Sequence, residues 1–551
     1  GSAAALNAAF KDVNSDDDIS VTLTGATATA KDLKELAAKV TVDASGIESI
    51  TGNAADVKAA LAINGLVPGT VTVTGAVTVS DIAAIKLLTA TGVIKATLEG
   101  SATELATLAT SNSDLLTLKV TGTTATATDL IAIDAKTSVK VNASAVTSIT
   151  GKAADLETIY TSKTISGLGN EAVEITGVKP SAKEANVILK ATSGIVTASV
   201  DGTAANLVKG LTDAKATDKL TLTVSAGTAT AAELKALDAK TSVAVDAKLV
   251  TEITGNAADV KTVLKADGIT LDKVTTGAVA VTVTGTVSAA DANTIAKATD
   301  GKVTATVAAG TAASLNTALA NATTGNDALT LTVNGATATA ANLDTLNGKT
   351  SVDVTVNATE VTGTFAELKT VYVDATKADF LALGNENIVI DGTTTTTTEL
   401  DAIANATTGK VTATLAAATA ISDGEVAKLT HVNGTTDVIS LTSSVTEADA
   451  TALVALAAKV ITADATAFSS VTTITEVAGQ VGSNGQNVVD ALNIAGNGIY
   501  TLSKYGCDQA YINEFVVEVI ELVNKHLPIE KIYTGGQTGV DLAGAVAANY
   551  L

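Results

Sequence analysis

Two short stretches of the chain hold residue types that could do chemistry. Near the start, Asp12-Val13-Asn14-Ser15-Asp16-Asp17-Asp18-Ile19 puts side-chain oxygens at alternate positions, Asp12, Asn14 and Asp16, ahead of an apolar residue. Hard divalent cations such as calcium take oxygen ligands spaced in this way along a tight loop. Near the end, Gly535-Gly536-Gln537-Thr538-Gly539 follows an apolar run and leads into a helical pattern from Val540. A strand, a glycine-rich turn and a helix N-terminus together cradle phosphate with backbone N–H groups. The other reactive side chains stand apart. Cys507 is the one cysteine, so no intrachain disulfide forms. His431 is the one histidine before the C-terminal segment, in the loop His431-Val432-Asn433-Gly434, and it reads as a solvated loop residue.

Composition narrows what could surround these stretches. Apolar residues make up 46% of the 551, yet aromatics are only 2% and Met and Trp are absent. A core of Ala, Val, Leu and Ile suits thin, regularly stacked layers better than a thick core closed around a pocket. Net charge is -22, and all the basic side chains are lysines. Without arginine, the preferred fork for phosphate and carboxylate, an acidic chain is a poor binder of nucleic acid or anionic membrane. Three prolines exclude a collagen-like stalk, and no apolar run reaches the length of a membrane span. Gly1-Ser2, in a chain without methionine, reads as a scar at the head of a fragment of something larger.

The elements that would position the candidate sites are set by internal repetition. Segments beginning at Ala26, Ala125, Ala229 and Ala338 align almost without gaps, as in ATATDLIAIDAKTSVKVNASAVTSITGKAADLETIY and ATAAELKALDAKTSVAVDAKLVTEITGNAADVKTVL. A second set, TATGVIKATL, KATSGIVTASV, KATDGKVTATV and NATTGKVTATL, carries Gly92, Gly194, Gly301 and Gly409. The superrepeat is therefore about 105 residues, divided into four repeats of about 25. Each repeat opens with alternating Val, Leu or Ile and Thr, the period of a half-buried strand, and continues with Leu, Ile or Val at helical spacing. Nine helix starts are marked by a capping residue with a carboxylate three positions later: Thr29/Asp32, Asn53/Asp56, Ser101/Glu104, Thr126/Asp129, Thr230/Glu233, Asn256/Asp259, Ser288/Asp291, Thr364/Glu367 and Thr396/Glu399. Connections of this length exclude hairpins and predict parallel strands with helical crossovers.

The expected fold is α/β: an elongated solenoid with one long parallel sheet backed by helices. About eighteen turns at ~4.8 Å would give a body of order 90 Å; a tandem of four small α/β domains would show the same periodicity. Val, Leu and Ile would face the helices and Thr would face outward, available to ice, to a glycan or to glycosylation, or simply as a soluble β-former. Most Asp and Glu residues read as helix caps and solvated faces. The expected divisions are an acidic N-terminal segment 1–18, the repeat array 19–462, a linker or cap 463–495, and a distinct segment 496–551. Six of the chain's twelve aromatics, five tyrosines and Phe515, lie from Tyr500 onward. There, Gly498–Leu502 reads as a strand, Ile512–Lys525 as an amphipathic helix, and Ile529–Thr534 as a second strand.

Three resemblances accompany this reading. The acidic stretch resembles the start of an EF-hand or dockerin-like calcium loop, although Asp17 stands where the turn glycine belongs and Leu23 where the bidentate carboxylate belongs; an acidic N-terminal cap or linker is the alternative. Residues 20–462 resemble the Thr/Ala/Val-rich repeats of very large bacterial, notably cyanobacterial, surface proteins and some phage fibres. That resemblance implies a non-enzymatic structural or adhesive role at the cell surface, with a glycan, a protein or another copy as partner. Residues 496–551, with Tyr533-Thr534-Gly535-Gly536-Gln537-Thr538-Gly539-Val540-Asp541, resemble the start of Rossmann-like nucleotide-binding proteins regarded as molybdenum-cofactor carriers. That resemblance implies that Gly535, Gly536, Gln537, Thr538, Gly539 and Asp541 line a nucleotide or cofactor-phosphate site, with the repeats as spacer. With two strands present, the segment is a partial fold, or a cap for the last repeat. Calcium and a nucleotide are thus the only ligands these residues suggest, and the repeats themselves need no cofactor.

Overall fold

The computed structural model describes residues 1–441 except 90, 273–277, 323–326, 375–378, 393–395, 416–427 and 434–436. Beyond these it describes Ile461–Ala463, Leu492–Ile494, Gln509–His526 and Ile532–Thr534. Contacts divide the chain into two units, Gly1–Thr282 with Ala298–Gly301, and Val283–Lys297 with Lys302–Leu551.

In the first unit every strand pairs in parallel with one from the next repeat, as the connection lengths predict. One seven-stranded sheet runs in chain order through Thr27–Thr29, Ser49–Asn53, Thr70–Thr74, Val93–Gly100, Leu115–Val120, Val141–Asn142 and Ile165–Ser166. A second runs through Thr124–Thr126, Ser148–Gly151, Ala172–Ile175, Val196–Gly202, Lys219–Val224, Val245–Asp246 and Ile269–Thr270. Pairing stays in phase over long stretches: Ala96, Leu98 and Val120 meet Leu116, Leu118 and Gly100 respectively. That phase matters, because a slip of one residue would turn the apolar set outward. Between strands the chain crosses over through short helices such as Ala30–Ala37, Ala54–Leu61, Ala127–Asp134 and Ala231–Asp238.

The single long sheet of the sequence reading is replaced by several sheets. In most repeats the extended segment breaks in two, and each piece pairs with its own row. At the break after Asn142 the side-chain Oδ1 accepts the Ser144 N–H at 3.0 Å. Asp43 accepts from Ser45 in the same way at 3.1 Å, and Asp246 from Lys248. These Asx turns offer the backbone an alternative to the ladder. Gly167 sits at such a break with φ +89, and a Cβ there would lie 2.6 Å from the Ser144 backbone. Both facts call for glycine.

The core lies between sheet and helices. Val71, Leu116, Leu118, Ile149, Leu220 and Leu222 are fully buried from the strand side, and Leu33, Leu36, Val57, Leu130, Leu234 and Leu237 from the helix side. Thr70, Thr72 and Thr74 alternate with Val71 and Val73 and face away from that core. Helix starts follow the predicted chemistry. All nine expected caps accept an N–H from the residue three positions on. Thr78/Asp81 and Ser181/Glu184, not singled out in the sequence, form full capping boxes. Lys152 occupies the cap position of a repeat where Asn53 and Asn256 serve elsewhere, and its helix, Ala153–Thr161, has no side-chain cap.

The second unit is built alike. Thr332–Val333, Val354–Val356 and Phe380–Leu381 form one parallel sheet. Thr337–Thr339, Glu360–Gly363, Asn387–Ile390, Val411–Leu415, Val438–Leu441 and Ile461–Ala463 form another. Toward the C-terminus, Ile532–Thr534 pairs in parallel with Leu492–Ile494, and the helix Gln509–His526 lies between them in sequence. The partner strand is therefore residues 492–494, which the sequence reading had placed in a linker; Gly498–Leu502 lies outside the described residues. Parallel pairing needs a long crossover, and the 18-residue helix supplies it.

Candidate functional site

The outward face of the sheet in the first unit carries rows of hydroxyl side chains in register. Thr29, Thr51 and Thr72 are successive partners across three strands, and Thr27, Ser49 and Thr70 form a parallel row. Farther along, Thr126 and Thr150 stand in register, then Glu174, Thr197 and Lys219. The hydroxyl rows are thus interrupted by charge. Glu99 and Lys119 are partners and form an ion pair at 3.2 Å. Lys95 continues the row of Thr72. Such a face presents hydroxyls and methyls in register with isolated charges.

The helix side carries a different pattern. The acid at the start of one helix takes a lysine from the previous helix: Lys34 bonds Asp56 at 2.8 Å, Lys58 bonds Asp81 at 2.8 Å, and Lys235 bonds Asp259. The hydrogen bond from Lys58, followed by those from the Thr78 hydroxyl and N–H, holds the Asp81 carboxyl down at about 2. Asp56 and Asp259 are lowered mainly by their lysines. Glu104 and Glu184 are lowered chiefly by the N–H groups of Ser101 and Ser181. These acids are committed to helix ends and to the neighbouring repeat.

A set of buried polar residues was not foreseen. Asp114, Asp218, Asp327 and Asp437 occupy the same place in successive superrepeats, just before a strand, and all are buried. Each Oδ1 accepts a backbone N–H from the preceding strand: Ile94 at 2.9 Å, Val196 at 2.9 Å, Val303 at 3.0 Å and Val411 at 2.7 Å. The Oδ2 atoms of Asp114, Asp218 and Asp437 accept from their own loops, from Ser111, Lys215 and Asn433. The next strand–helix repeat adds a buried threonine. Thr137, Thr241 and Thr350 each accept an N–H from Leu116, Leu220 or Leu329 and donate to the carbonyl of the same residue. These groups satisfy strand-edge backbone that the short ladders leave open. The signal was available in the sequence: an aspartate recurs before LLTL, KLTL, ALTL and VISL, and a Lys-Thr-Ser triplet recurs before the following strand or turn.

Two buried carboxylates pair with tyrosines. Tyr160 donates to Glu171 at 2.9 Å, and Tyr372 to Glu386 at 3.0 Å. Burial, then the adjacent glutamate charge, pushes both phenols well above their usual range, so the tyrosines remain protonated donors. His431 does not stand alone as its loop suggested. Its Nδ1 lies 2.9 Å from Asp401 Oδ2, and its N–H donates to Asp401 Oδ1 at 2.7 Å. Helix Thr397–Ala404 presents Asp401, some thirty residues earlier, a partner that sequence distance concealed.

The predicted sites fare as follows. Asp12, Asn14 and Asp16 lie on an exposed loop. Asn14 Oδ1 accepts the Asp16 N–H at 3.0 Å, Asp17 accepts the Asn14 N–H, and Asp12 lies 4.0 Å from Lys11 Nζ. Among the described residues no group of three or more His, Cys, Asp or Glu side chains is placed to hold a metal ion. Asp16, Asp17 and Asp18 instead line a cleft of about 520 Å³ together with residues 37–42, Ala59, Ala62, Ile63 and Asn64. Gly535, Gly536, Gln537, Thr538, Gly539 and Asp541 lie outside the described residues; the strand Ile532–Thr534 ends immediately before them. No helix among the described residues is long and apolar enough to cross a membrane. No protein-family model matches the chain, and no curated protein is similar to it.

Proposed function

We propose that this chain is a non-enzymatic structural or adhesive repeat protein working outside a cell. In this reading its strand–helix repeats form solenoids, and the outward hydroxyl face meets a cell-surface glycan, a protein or another copy. The observation that carries the reading is the register of that face: Thr29–Thr51–Thr72 and Thr27–Ser49–Thr70 align across three successive strands. The polar groups of the interior support it, since Asp218, Thr137 and Thr241 are taken up by backbone. Glycan arrays and immobilised cell-wall fractions probed with the whole chain test the surface. Binding should be lost when Thr29, Thr51 and Thr72 are replaced by Val, and binding that survives those changes removes the hydroxyl face from the proposal. Excision of one repeat, residues 124–147, tests the solenoid. The shortened chain should remain folded by circular dichroism with a lower Tm, whereas loss of a whole superrepeat's worth of structure would indicate closed domains.

A second reading has its own support. The order strand, helix, parallel strand in Leu492–Ile494, Gln509–His526 and Ile532–Thr534 leads directly into Gly535-Gly536-Gln537-Thr538-Gly539. A nucleotide or molybdenum-cofactor carrier would use that turn. Calorimetric titration with ATP and with a molybdopterin-type ligand decides it: saturable heat supports a carrier, and no heat overturns a site in this chain.

A further inference from the structure

Asparagine followed by glycine is a labile pair. The glycine nitrogen can close a five-membered ring on the asparagine side-chain carbonyl carbon, and glycine has no Cβ to obstruct the closure. Among the described residues three such pairs occur, and the fold treats them differently. Asn64–Gly65 lies in the turn after helix Ala54–Leu61, where the Leu66 N–H donates to the Ile63 carbonyl at 3.2 Å. Gly65 has φ +78, as the third residue of a type II turn requires. Both residues are exposed, and open space surrounds the glycine. Among the described residues neither the Asn64 carboxamide nor the Gly65 N–H has a hydrogen-bond partner.

The other two pairs are restrained. At the end of helix Ala340–Asn347 the Gly348 N–H donates to the Asp344 carbonyl at 3.1 Å, and Asn347 Nδ2 donates to Asp379 at 3.1 Å. In Asn334–Gly335 the Asn334 side-chain oxygen accepts from Asn357 Nδ2 at 3.1 Å, and the Asn334 N–H donates to the Gly310 carbonyl at 2.8 Å.

We propose that Asn64 is a site of spontaneous covalent modification, converting through a cyclic imide to aspartate and isoaspartate. The bond from Gly65 N to Asn64 Cγ forms, and the bond from Cγ to Nδ2 breaks. Water or hydroxide takes the glycine amide proton, and Nδ2 gains a proton from solvent and leaves as ammonia. Water then adds to the imide. Opening at the side-chain carbonyl leaves aspartate, and opening at the main-chain carbonyl leaves isoaspartate, with the chain rerouted through the former side chain. Either product adds a carboxylate to the cleft that Asn64 shares with Asp16, Asp17, Asp18 and Lys39. The equivalent residue of the third superrepeat is Asp267, so an aspartate is accommodated at this place in the repeat. The attacking nitrogen must lose its proton, so conversion accelerates as pH rises.

Tryptic mapping of the whole chain, incubated folded from neutral to alkaline pH, tests this. Peptide Ala59–Lys86 has Asn64 as its one asparagine. It should exchange ammonia for water, with isoaspartate identified by electron-transfer fragmentation. Fragment ions of peptide Val303–Lys349 report Asn334 and Asn347 separately. Asn347 should convert roughly tenfold or more slowly than Asn64, because its hydrogen bonds must open first. In urea that difference should vanish. Asn64→Gln, which has no partner to lose and a less favourable ring to close, should leave peptide 59–86 unchanged while the circular dichroism spectrum stays native. Four outcomes overturn the proposal: an unchanged Asn64 in folded protein at alkaline pH, equal rates at Asn64 and Asn347 in the folded chain, a difference that persists in urea, or conversion of Asn64 without isoaspartate.

Discussion

Two populations of carboxylate in this protein have the same composition and opposite roles. At the helix starts, Asp56, Asp81 and Asp259 sit near solvent, accept from a cap residue and pair with a lysine of the previous helix. At the strand starts, Asp114, Asp218, Asp327 and Asp437 are buried and receive backbone N–H groups from the preceding strand, Asp114 taking Lys86 Nζ at 3.1 Å as well. The first kind decorates each repeat locally. The second kind locks one repeat to the next where solvent cannot substitute. An exposed ion pair is worth up to about 1 kcal/mol, whereas a buried polar group left without its partner costs more, because no water replaces it.

The sharpest way to break that contrast is Asp218→Ala, which leaves the Val196 and Lys215 N–H groups without an acceptor. It should lower stability by roughly 2–5 kcal/mol in urea unfolding, with a clearly smaller loss for Asp259→Ala. Equal effects would erase the distinction. Next in size is Thr241→Val, which conserves volume while stranding the Leu220 N–H and carbonyl; a loss of about 1–3 kcal/mol is expected. Faster amide exchange confined to the Leu220 strand would locate the damage. On the helix side, Lys152→Asn should install the cap that Asn53 and Asn256 provide in equivalent repeats. A gain of about 0.5–1 kcal/mol is expected, and a loss would show that Lys152 does something else there.

The smallest effect is in acid. Asp81 is held at about 2, below the ordinary carboxylate value near 4, so its contribution is present above roughly pH 4. That contribution is lost as pH falls through about 2. The stability gap between wild type and Asp81→Asn should therefore be constant near neutrality and close between about pH 4 and 2. A gap that widened there would reverse the sign of the linkage.

The helix starts were legible because capping is local chemistry: a hydroxyl or amide three residues before the group it serves needs no tertiary partner. Parallel pairing was legible from connection length, and the inward set of Val71, Val73, Leu116 and Leu118 from period-two alternation. The strand breaks were harder to read. Asp43, Asn142 and Asp246 look like ordinary polar residues until their side chains are seen to take the N–H two residues on. His431 looked solitary because Asp401 is brought to it by the fold. The acidic loop at Asp12, Asn14 and Asp16 shows how oxygen spacing alone leaves open which partners those oxygens take: here Asn14 turns back to the Asp16 N–H.

By itself, then, the sequence determined the α/β character, the period, the helix starts and which side of each strand is apolar. All of these depend on interactions within a few residues or on a pattern repeated along the chain. Only the tertiary structure decided that the extended segments split into separate sheets, that one aspartate per superrepeat is buried against the strand before it, and that His431 meets Asp401. Those outcomes depend on which backbone groups remain unpaired once neighbouring repeats are stacked, and on side chains more than twenty residues apart in the chain being brought within hydrogen-bonding distance.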